Sequence, residues 1–303
     1  MTANHKPVKK TESSPLPGLL IGLTAFLIWG MSPIYWKELK SVQALEIILH
    51  RIVWSFFFLI PIVMLRGRRS AFFAALRNPR AMAILSVTAL LISSNWFIYI
   101  WAVANNHLLQ ASLGYYINPL VNVLLGMLFL GERLRRLQVL SVAIAAAGVL
   151  YLTFYVGQFP WISLFLAFSF GFYGLIRKAV DVASIVGLAI ETMLLSIPAG
   201  IYLIMLFSND AGAFLRIDGH TDLLLVGASV VTAVPLLLFT ISARRLRLTT
   251  VGFIQYIAPT CMFLLGVFLY QEHFATEQVV TFIMIWIALC LYSLDSVFFY
   301  RKS

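Results

Sequence analysis

The chain has 303 residues, of which 61% are hydrophobic and 11% are charged, and its mean hydropathy is +0.92. A soluble domain is roughly half apolar and about a quarter charged, so this composition excludes the soluble classes. The formal net charge is +10, but the basic residues form short clusters between apolar runs and no continuous basic face, which argues against a nucleic-acid partner. A lipid bilayer is therefore the expected surrounding of most of the chain.

The apolar runs predict an all-α polytopic membrane protein with ten transmembrane helices, because one crossing needs about 20 apolar residues. Residues 1–17 are predicted to form a cytoplasmic N-terminal tail. The predicted spans, in chain order, are Gly18–Trp36, Ala44–Leu65, Ala81–Ala104, Leu108–Leu130, Leu137–Tyr155, Trp161–Ile176, Ser184–Phe207, Leu223–Ala243, Leu248–Tyr270 and Ala275–Phe299.

The positions of the basic residues predict the orientation of these spans. With the N-terminus inside, 18 of the 22 Lys and Arg residues lie in inside segments, and Arg51 alone falls within a span. Only Lys37, Lys40 and Arg216 lie outside. Since inside loops carry the excess of positive charge, both termini are predicted to be cytoplasmic. The basic stretch 66–80 is interpreted as an interfacial linker against anionic lipid.

The second half of the chain repeats the first with an offset of about 140 residues. Segment Leu108–Glu132 matches Leu248–Glu272 without a gap at eight positions, including Tyr116, Pro119 and Gly126 with their mates Tyr256, Pro259 and Gly266. The predicted repeats cover residues 18–155 and 161–299. Because five helices form each unit, the second copy is predicted to cross the membrane in the opposite sense, around a central cavity. Inverted repeats suit carriers that work by alternating access.

Polar residues inside the predicted spans are candidates for the lining of that cavity. In the second span, Glu46 and His50 share a helical face with Arg51 beside them; a structural ion pair and a cavity site are both open. Glu191 in the seventh span is either a silent protonated carboxyl or a group that titrates during transport.

Amide and aromatic groups complete the predicted binding site, and two prolines are predicted hinges. For any single amide, helix–helix hydrogen bonding is the alternative. The further site residues are Asn95, Trp96, Tyr99, Tyr115, Asn118, Asn122, Gln255 and Tyr256, and the hinges are Pro119 and Pro259.

Some features favour structural roles. Small residues of the fifth span, from Ser141 to Gly148, predict close packing either within the chain or at a homodimer seam. Trp29, Trp36 and Trp161, near span ends, are interpreted as interfacial anchors. Cys261 and Cys290 lie in apolar runs without metal-ligand spacing, and no catalytic motif is found, so neither an enzyme activity nor a cofactor is predicted.

Several motifs resemble a known family. They are FLIWGMSPIYWK (Phe26–Lys37), the ExxxHR of Glu46–Arg51, SSNWFIYIWAVANNHLLQASLGYYINPL (Ser93–Leu120) and LFLGERL (Leu128–Leu134). Together they resemble the RarD branch of the EamA transporters, in the drug/metabolite transporter superfamily. The resemblance covers essentially the whole chain. It implies ten helices in two inverted halves, a central cavity, a bacterial inner-membrane location and relatives that export amino acids and other metabolites.

The function predicted from the sequence is therefore secondary transport of a small metabolite or drug-like solute, with export the expected direction. Proton coupling through Glu46 or Glu191 is a candidate mechanism. The alternatives are a membrane-embedded lipid-handling enzyme or flippase, and a non-transporting scaffold. The expected partners are a small-molecule substrate and the bilayer, with a homodimer as a further candidate.

Overall fold

The computed structural model describes residues 16–131, 135–155, 157–178, 180–245, 254–273 and 275–302. These residues form helices and connecting segments, without a strand among them. The helices are α1 (Leu16–Glu38), α2 (Ala44–Leu65), α3 (Arg69–Arg77), α4 (Pro79–Ala104), α5 (Leu108–Leu130), α6 (Arg136–Leu150), α7 (Trp161–Lys178), α8 (Ser184–Ser208), α9 (Gly219–Arg245), α10 (Ile257–Leu264) and α11 (Thr276–Lys302). Helices α6 and α10 each continue into a π-helical turn, Tyr151–Tyr155 and Leu265–Leu269.

Eight helices of the described part are long and apolar enough to cross a membrane, and two more apolar helices, Trp161–Arg177 and Ile257–Leu269, are shorter. Two of the predicted spans coincide with α2 and α5, and most other described boundaries shift by up to four residues. The ten predicted spans thus correspond to eight long helices and two shorter ones, and the number of crossings stays a prediction.

The ninth span departs most from its prediction. Its predicted start at Leu248 lies outside the described residues, and α10 begins only at Ile257, after a turn at Gln255 and Tyr256. Pro259 sits in the first turn of α10, where its missing N–H breaks no helical hydrogen bond. By contrast, Pro119 lies inside the continuous helix α5. The two predicted hinge prolines therefore occupy different local structures.

The main contacts between helices of different halves follow the predicted repeat. When two helices pack together in this way, their repeat mates also pack together. Helix α1 packs against α9 and α10, and its repeat mate α7 packs against α4 and α5. The pairs α2–α8, α5–α10 and α6–α11 each join two repeat mates directly. This pairing is the arrangement expected of two inverted copies.

Close contacts at glycines repeat the same symmetry at the level of single residues. A Cβ atom at Gly30 of α1 would lie 2.7 Å from Cys261 Cβ of α10, and one at Gly171 of α7 would lie 3.0 Å from Val121 Cγ1 of α5. Gly171 and Gly30 are 141 positions apart, and Cys261 and Val121 are 140 apart. Glycine permits this approach of helices because it lacks a side chain. The repeat seen in the sequence is therefore also a repeat of interhelical contacts.

The basic stretch between α2 and α4 contains a short helix. Phe72 and Ala75 of α3 are buried and contact an apolar cluster that includes Leu59, Leu85 and Val186. The apolar side of α3 thus packs against other helices of the protein, while its arginines lie on the exposed side.

The small residues of the fifth span pack within the chain. Ser141, Ala145 and Gly148 form the buried face of α6, and a Cβ at Gly148 would lie 3.3 Å from Met284 Cβ of α11. This stripe is therefore occupied by another helix of the same chain. The homodimer stays a prediction that this stripe does not support.

Candidate functional site

Four of the five loops predicted to lie outside meet at one end of the bundle, which we call the outer end. It carries the connections 39–43, 105–107, 209–218 and 270–273, and the opposite end is called the inner end. Side-chain contacts between these loops and helix ends, described below, confirm that they share one end.

A cluster of aromatic residues surrounds Arg51 in the outer half of the bundle. The Trp96 ring lies 4.1 Å and the Trp36 ring 5.3 Å from the guanidinium carbon. Tyr99 and Tyr115 lie within electrostatic reach of the same charge, and their rings are in edge-to-face contact at 5.8 Å. These five residues come from α1, α2, α4 and α5, and we call them the Arg51 cage.

Three buried nitrogen atoms of the cage, all hydrogen-bond donors, have no hydrogen-bond partner among the described residues. They are Nε and Nη1 of Arg51 and Nε1 of Trp36. Arg51 is only 6% exposed, and no ion pair involves it in the described part of the chain. An unpaired buried charge costs several kcal/mol, so the aromatic faces are the main stabilising surroundings of this guanidinium.

Trp36 was expected to anchor the protein at the membrane interface, and this expectation is wrong. Its side chain is 2% exposed, because α1 directs this position into a buried apolar cluster that contains residues of both halves. Trp161, by contrast, is 43% exposed, in agreement with an interfacial position. Trp29 is partly buried beside Phe26, with ring centroids 5.5 Å apart.

Glu46 and His50 lie on α2 near the cage but contact the second half of the chain. Glu46 Oε1 accepts hydrogen bonds from the backbone N–H groups of Ala213 at 2.7 Å and Phe214 at 3.2 Å. The imidazole of His50 packs on the ring of Phe214, and its Nδ1 accepts a hydrogen bond from Trp54 at 3.1 Å. Because a cationic imidazole has no free acceptor, His50 is neutral in this arrangement. Glu46 therefore ties the loop 209–218 to α2.

A second carboxylate forms an equivalent tie at the outer end. The two oxygens of Glu272 accept hydrogen bonds from Leu108 N at 2.9 Å and Leu109 N at 3.0 Å, at the start of α5. Nearby, Lys37 donates to Asn106 Oδ1 and lies over the ring of Tyr270 at 4.8 Å. We call Glu46 and Glu272 the outer ties, since each joins one half to backbone of the other.

Two of the predicted amides, Asn95 and Asn118, hold helices together. Asn95 donates to Leu166 O at 3.0 Å and to Ser169 Oγ at 2.8 Å, and Asn118 donates to Ala167 O at 3.1 Å. Asn122 donates to Asn118 Oδ1 at 3.1 Å. Asn95 and Asn118 thus fasten α4 and α5 to α7, as the alternative of helix–helix hydrogen bonding anticipated.

Glu191 lies in a buried polar network in the inner half. Its oxygens accept hydrogen bonds from Thr88 Oγ1 at 2.6 Å and from the Tyr173 hydroxyl at 3.2 Å. Arg177 Nε lies 3.6 Å from Glu191 Oε1, and the Arg177 guanidinium covers Gly187. Thr88 belongs to the first half and the other residues to the second. Sequence reasoning treated Arg177 as an orientation signal only.

Gln255 and Tyr256 lie in the turn before α10, apart from the cage. Tyr256 stacks on Tyr116 within a different apolar cluster, and Tyr116 shares a hydrogen bond with Thr260 at 2.7 Å. The structure therefore gathers four of the predicted site residues around one point and adds Trp36, which the prediction omitted. Those four are Arg51, Trp96, Tyr99 and Tyr115.

A groove of about 770 Å³ runs between α2, α4 and α8. Its lining is almost entirely apolar and contains none of the predicted site residues. Among the described residues, no group of three or more His, Cys, Asp or Glu side chains could hold a metal ion. The candidate site is therefore the cage with its neighbouring ties.

Comparison with known proteins finds relatives of one family over nearly the whole chain. Residues 16–154 match the EamA-like transporter family. Protein RarD of Escherichia coli (strain K12) is 46% identical over 286 residues, which cover 94% of this chain and 97% of RarD. An uncharacterized transporter of Vibrio cholerae is 48% identical over 295 residues, covering 97% and 95%. The "Chloramphenicol-sensitive protein RarD" of Pseudomonas aeruginosa is 32% identical over 294 residues, covering 94% and 96%.

A solved structure described as "Crystal structure of protein" matches with a TM-score of 0.58 at 20% identity, and the match covers 93% of this chain and 98% of that one. This likeness concerns the fold. Apolar helices and transporter relatives together define the chain as a multi-pass membrane transporter. It belongs to the RarD branch of the EamA-like transporter family.

Proposed function

We propose that the protein is a secondary active carrier that exports a small organic solute by alternating access between its two halves. The observation that carries this proposal is the symmetry of the main contacts between the halves: helices that pack together there have repeat mates that also pack together. Two inverted copies can each adopt the conformation of the other, which opens the same central site to opposite sides in turn. The outer ties then belong to an outward-closed conformation.

A drug-like solute is one candidate cargo. One relative carries the printed name "Chloramphenicol-sensitive protein RarD", which supports chloramphenicol as a probe but does not identify the natural substrate. The remaining parts of the proposal are a bacterial inner-membrane location with both termini cytoplasmic, for which the loop charges are the support.

Glu191 is the proposed proton carrier. It is buried, contacts both halves and has a cationic neighbour whose charge would be left unpaired if the carboxyl took up a proton. Protonation would thus change the charge of a buried network that also contains Thr88 of the first half, and such a change of charge is one way in which a proton couples to a conformational change. Glu46 is the second candidate, but its Oε1 is already held by two backbone N–H groups.

A flux experiment tests this function. Proteoliposomes are loaded with a defined mixture of amino acids, organic acids, nucleosides and chloramphenicol, and each solute is followed by mass spectrometry with and without a pH gradient. We expect at least one solute to move in a gradient-dependent way, and the gradient dependence to disappear in Glu191→Gln. Identical leakage from empty and protein-containing liposomes would instead favour the non-transporting scaffold, and unchanged coupling in Glu191→Gln and Glu46→Gln would exclude the proton role.

A further inference from the structure

We infer that the Arg51 cage binds the carboxylate of a planar, monoanionic organic acid, whose apolar body lies against the aromatic residues of the cage. This inference rests on the proposed carrier function and specifies its substrate class. It starts from the three unpartnered nitrogen atoms of Arg51 and Trp36.

The unpartnered groups are all donors. Nε and Nη1 of Arg51 and Nε1 of Trp36 can donate and cannot accept hydrogen bonds. A ligand that satisfies them must therefore be rich in acceptors. A carboxylate has two oxygens with about four acceptor positions, enough for the unpartnered nitrogens of Arg51 and Trp36, and arginine binds carboxylates through parallel hydrogen bonds.

The charge of the cage favours a single negative charge on the ligand. Arg51 is its only cation among the described residues, because the nearby Lys37 is occupied by Asn106 and Tyr270. Glu46 lies five residues before Arg51 on the same helix and directs its Oε1 to the loop 209–218. His50, on the other neighbouring position, is neutral. A phosphate dianion would bring more charge than one guanidinium balances in a buried site.

The walls of the cage favour a planar apolar body. The guanidinium of Arg51 lies over the rings of Trp96 and Trp36, so a ligand that binds this cation also contacts aromatic surface. The rings of Tyr99 and Tyr115 stand edge to face beside it, and aromatic walls of this kind hold flat apolar groups by offset or edge contacts. None of the five cage residues is a carboxylate, so the ammonium group of a zwitterionic amino acid would find no anionic partner there. A simple acid is therefore expected to bind more tightly than a zwitterion.

Access to the cage requires the outer or inner end to open. Arg51, Trp36 and Tyr99 are all at most 6% exposed, and the outer ties together with Lys37 close the outer end above them. A site that is closed from both sides in one conformation and opened by relative movement of the halves is the form that alternating access needs.

Thermal unfolding of the full-length protein in detergent tests the ligand class. Benzoate, phenylacetate and cinnamate are each compared with the corresponding amide, and phenyl phosphate, phenylalanine and chloride serve as further probes. We expect at least one of the acids to raise the melting temperature in a saturable way, because a ligand stabilises the state that binds it. Its amide and the zwitterion should not. Equal stabilisation by acid and amide, by phenyl phosphate or by chloride alone would overturn the inference, as would no response to any acid.

Variants then place the effect at the cage. In Arg51→Gln the acid should bind at least about tenfold more weakly, and in Arg51→Lys, which keeps the charge without the planar fork, binding should be intermediate. Arg216→Gln is the matched control, since Arg216 is a partly exposed arginine of the loop 209–218, paired with Asp210. An unchanged response in Arg51→Gln would contradict the site.

If Arg51→Gln fails to fold, the comparison of acids with amides on the wild-type protein still decides the ligand class. A protein that exchanges solutes in liposomes but ignores all the acids would lose this inference and keep the carrier function. Binding of an acid without any solute flux would keep this inference about the ligand and contradict the carrier function.

Discussion

Glu272 belongs to the second half of the chain, yet both of its oxygens bind the first turn of a first-half helix, α5. The N–H groups of a first turn have no partner within the helix, and a carboxylate placed there is also favoured by the helix dipole. Such a cap contributes about 1 kcal/mol. In a two-state carrier the contribution is made only while the outer end is closed, so Glu272 should bias the conformational equilibrium.

We therefore expect Glu272→Ala to open the outer end more often. The measurement is the labelling rate of a cysteine at position 112 by a membrane-impermeant maleimide, in protein without Cys261 and Cys290. Ser112 is fully buried just below Leu108, so its labelling should accelerate by several fold when the tie is lost, in line with about 1 kcal/mol. Glu38→Ala, at an exposed glutamate of the same end, is the control, and an equal rate in both variants would contradict a role for the tie.

The Glu191–Arg177 pair gives an asymmetric prediction about stability. Removing the carboxylate leaves a buried guanidinium that cannot lose its proton, at a cost of about 3–5 kcal/mol. Removing Arg177 leaves a carboxyl that can take up a proton and keep its hydrogen bonds to Thr88 and Tyr173. We expect Glu191→Gln to lower the melting temperature more than Arg177→Gln does, and the double variant to recover part of the loss. Additive losses in the double variant would show that the two side chains do not interact.

At the scale of helices, packing at repeat-related glycines should show a graded response to an added methyl group. At Gly30 the obstacles are Cys261 Cβ and the Ala258 backbone, whereas at Gly171 they are ends of the Leu125 and Val121 side chains. Backbone cannot give way as side chains can, and overpacking costs about 1–3 kcal/mol.

We therefore expect Gly30→Ala to destabilise the protein more than Gly171→Ala. Gly174→Ala on the same helix as Gly171 has open space around the new methyl group and should be neutral or stabilising by up to about 1 kcal/mol. Thermal unfolding of the three variants in one detergent gives the order, and a Gly174→Ala as unstable as Gly30→Ala would refute it.

The helices themselves were largely predictable, because a membrane imposes runs of apolar residues whose length is set by bilayer thickness. The bounds of α2 and α5 coincide with the predicted spans. The start of α10 was not predictable from hydropathy, since Gln255 and Tyr256 sit in an apolar run and form a turn there. The helical form of the linker at α3 was missed because its buried positions, Phe72 and Ala75, are few and depend on tertiary packing.

The site was predictable in part. Arg51 stands out because a charge inside an apolar run is rare, and the aromatic positions followed from helical spacing. Trp36 was missed because its place near a span end is equally typical of interfacial tryptophan. Arg177 was missed because the span around it ends in a basic pair. In both cases the deciding quantity is the direction in which the helix presents the residue to its neighbours, which one sequence does not contain.

For the whole molecule, alternating access predicts that the two ends move in opposite senses. Spin labels at Asn105 and His273 report the outer end, and labels at Arg77 and Asp181 report the inner end; all four positions are exposed. In Glu272→Ala we expect the outer distance to lengthen and the inner distance to shorten, as measured by double electron–electron resonance. Lengthening of both distances would indicate general loosening and would count against the carrier mechanism.

The pair α6–α11 adds a mechanical consequence. Each of these helices is the last of its half, each packs chiefly against the other, and Gly148 lets their backbones approach closely. Neither contributes to the Arg51 cage or to the network at Glu191. We expect α6 and α11 to stay fixed against each other while the other helices tilt around them. Opening of one end of the protein would then close the other, and a ligand that holds one end open would hold the opposite end closed.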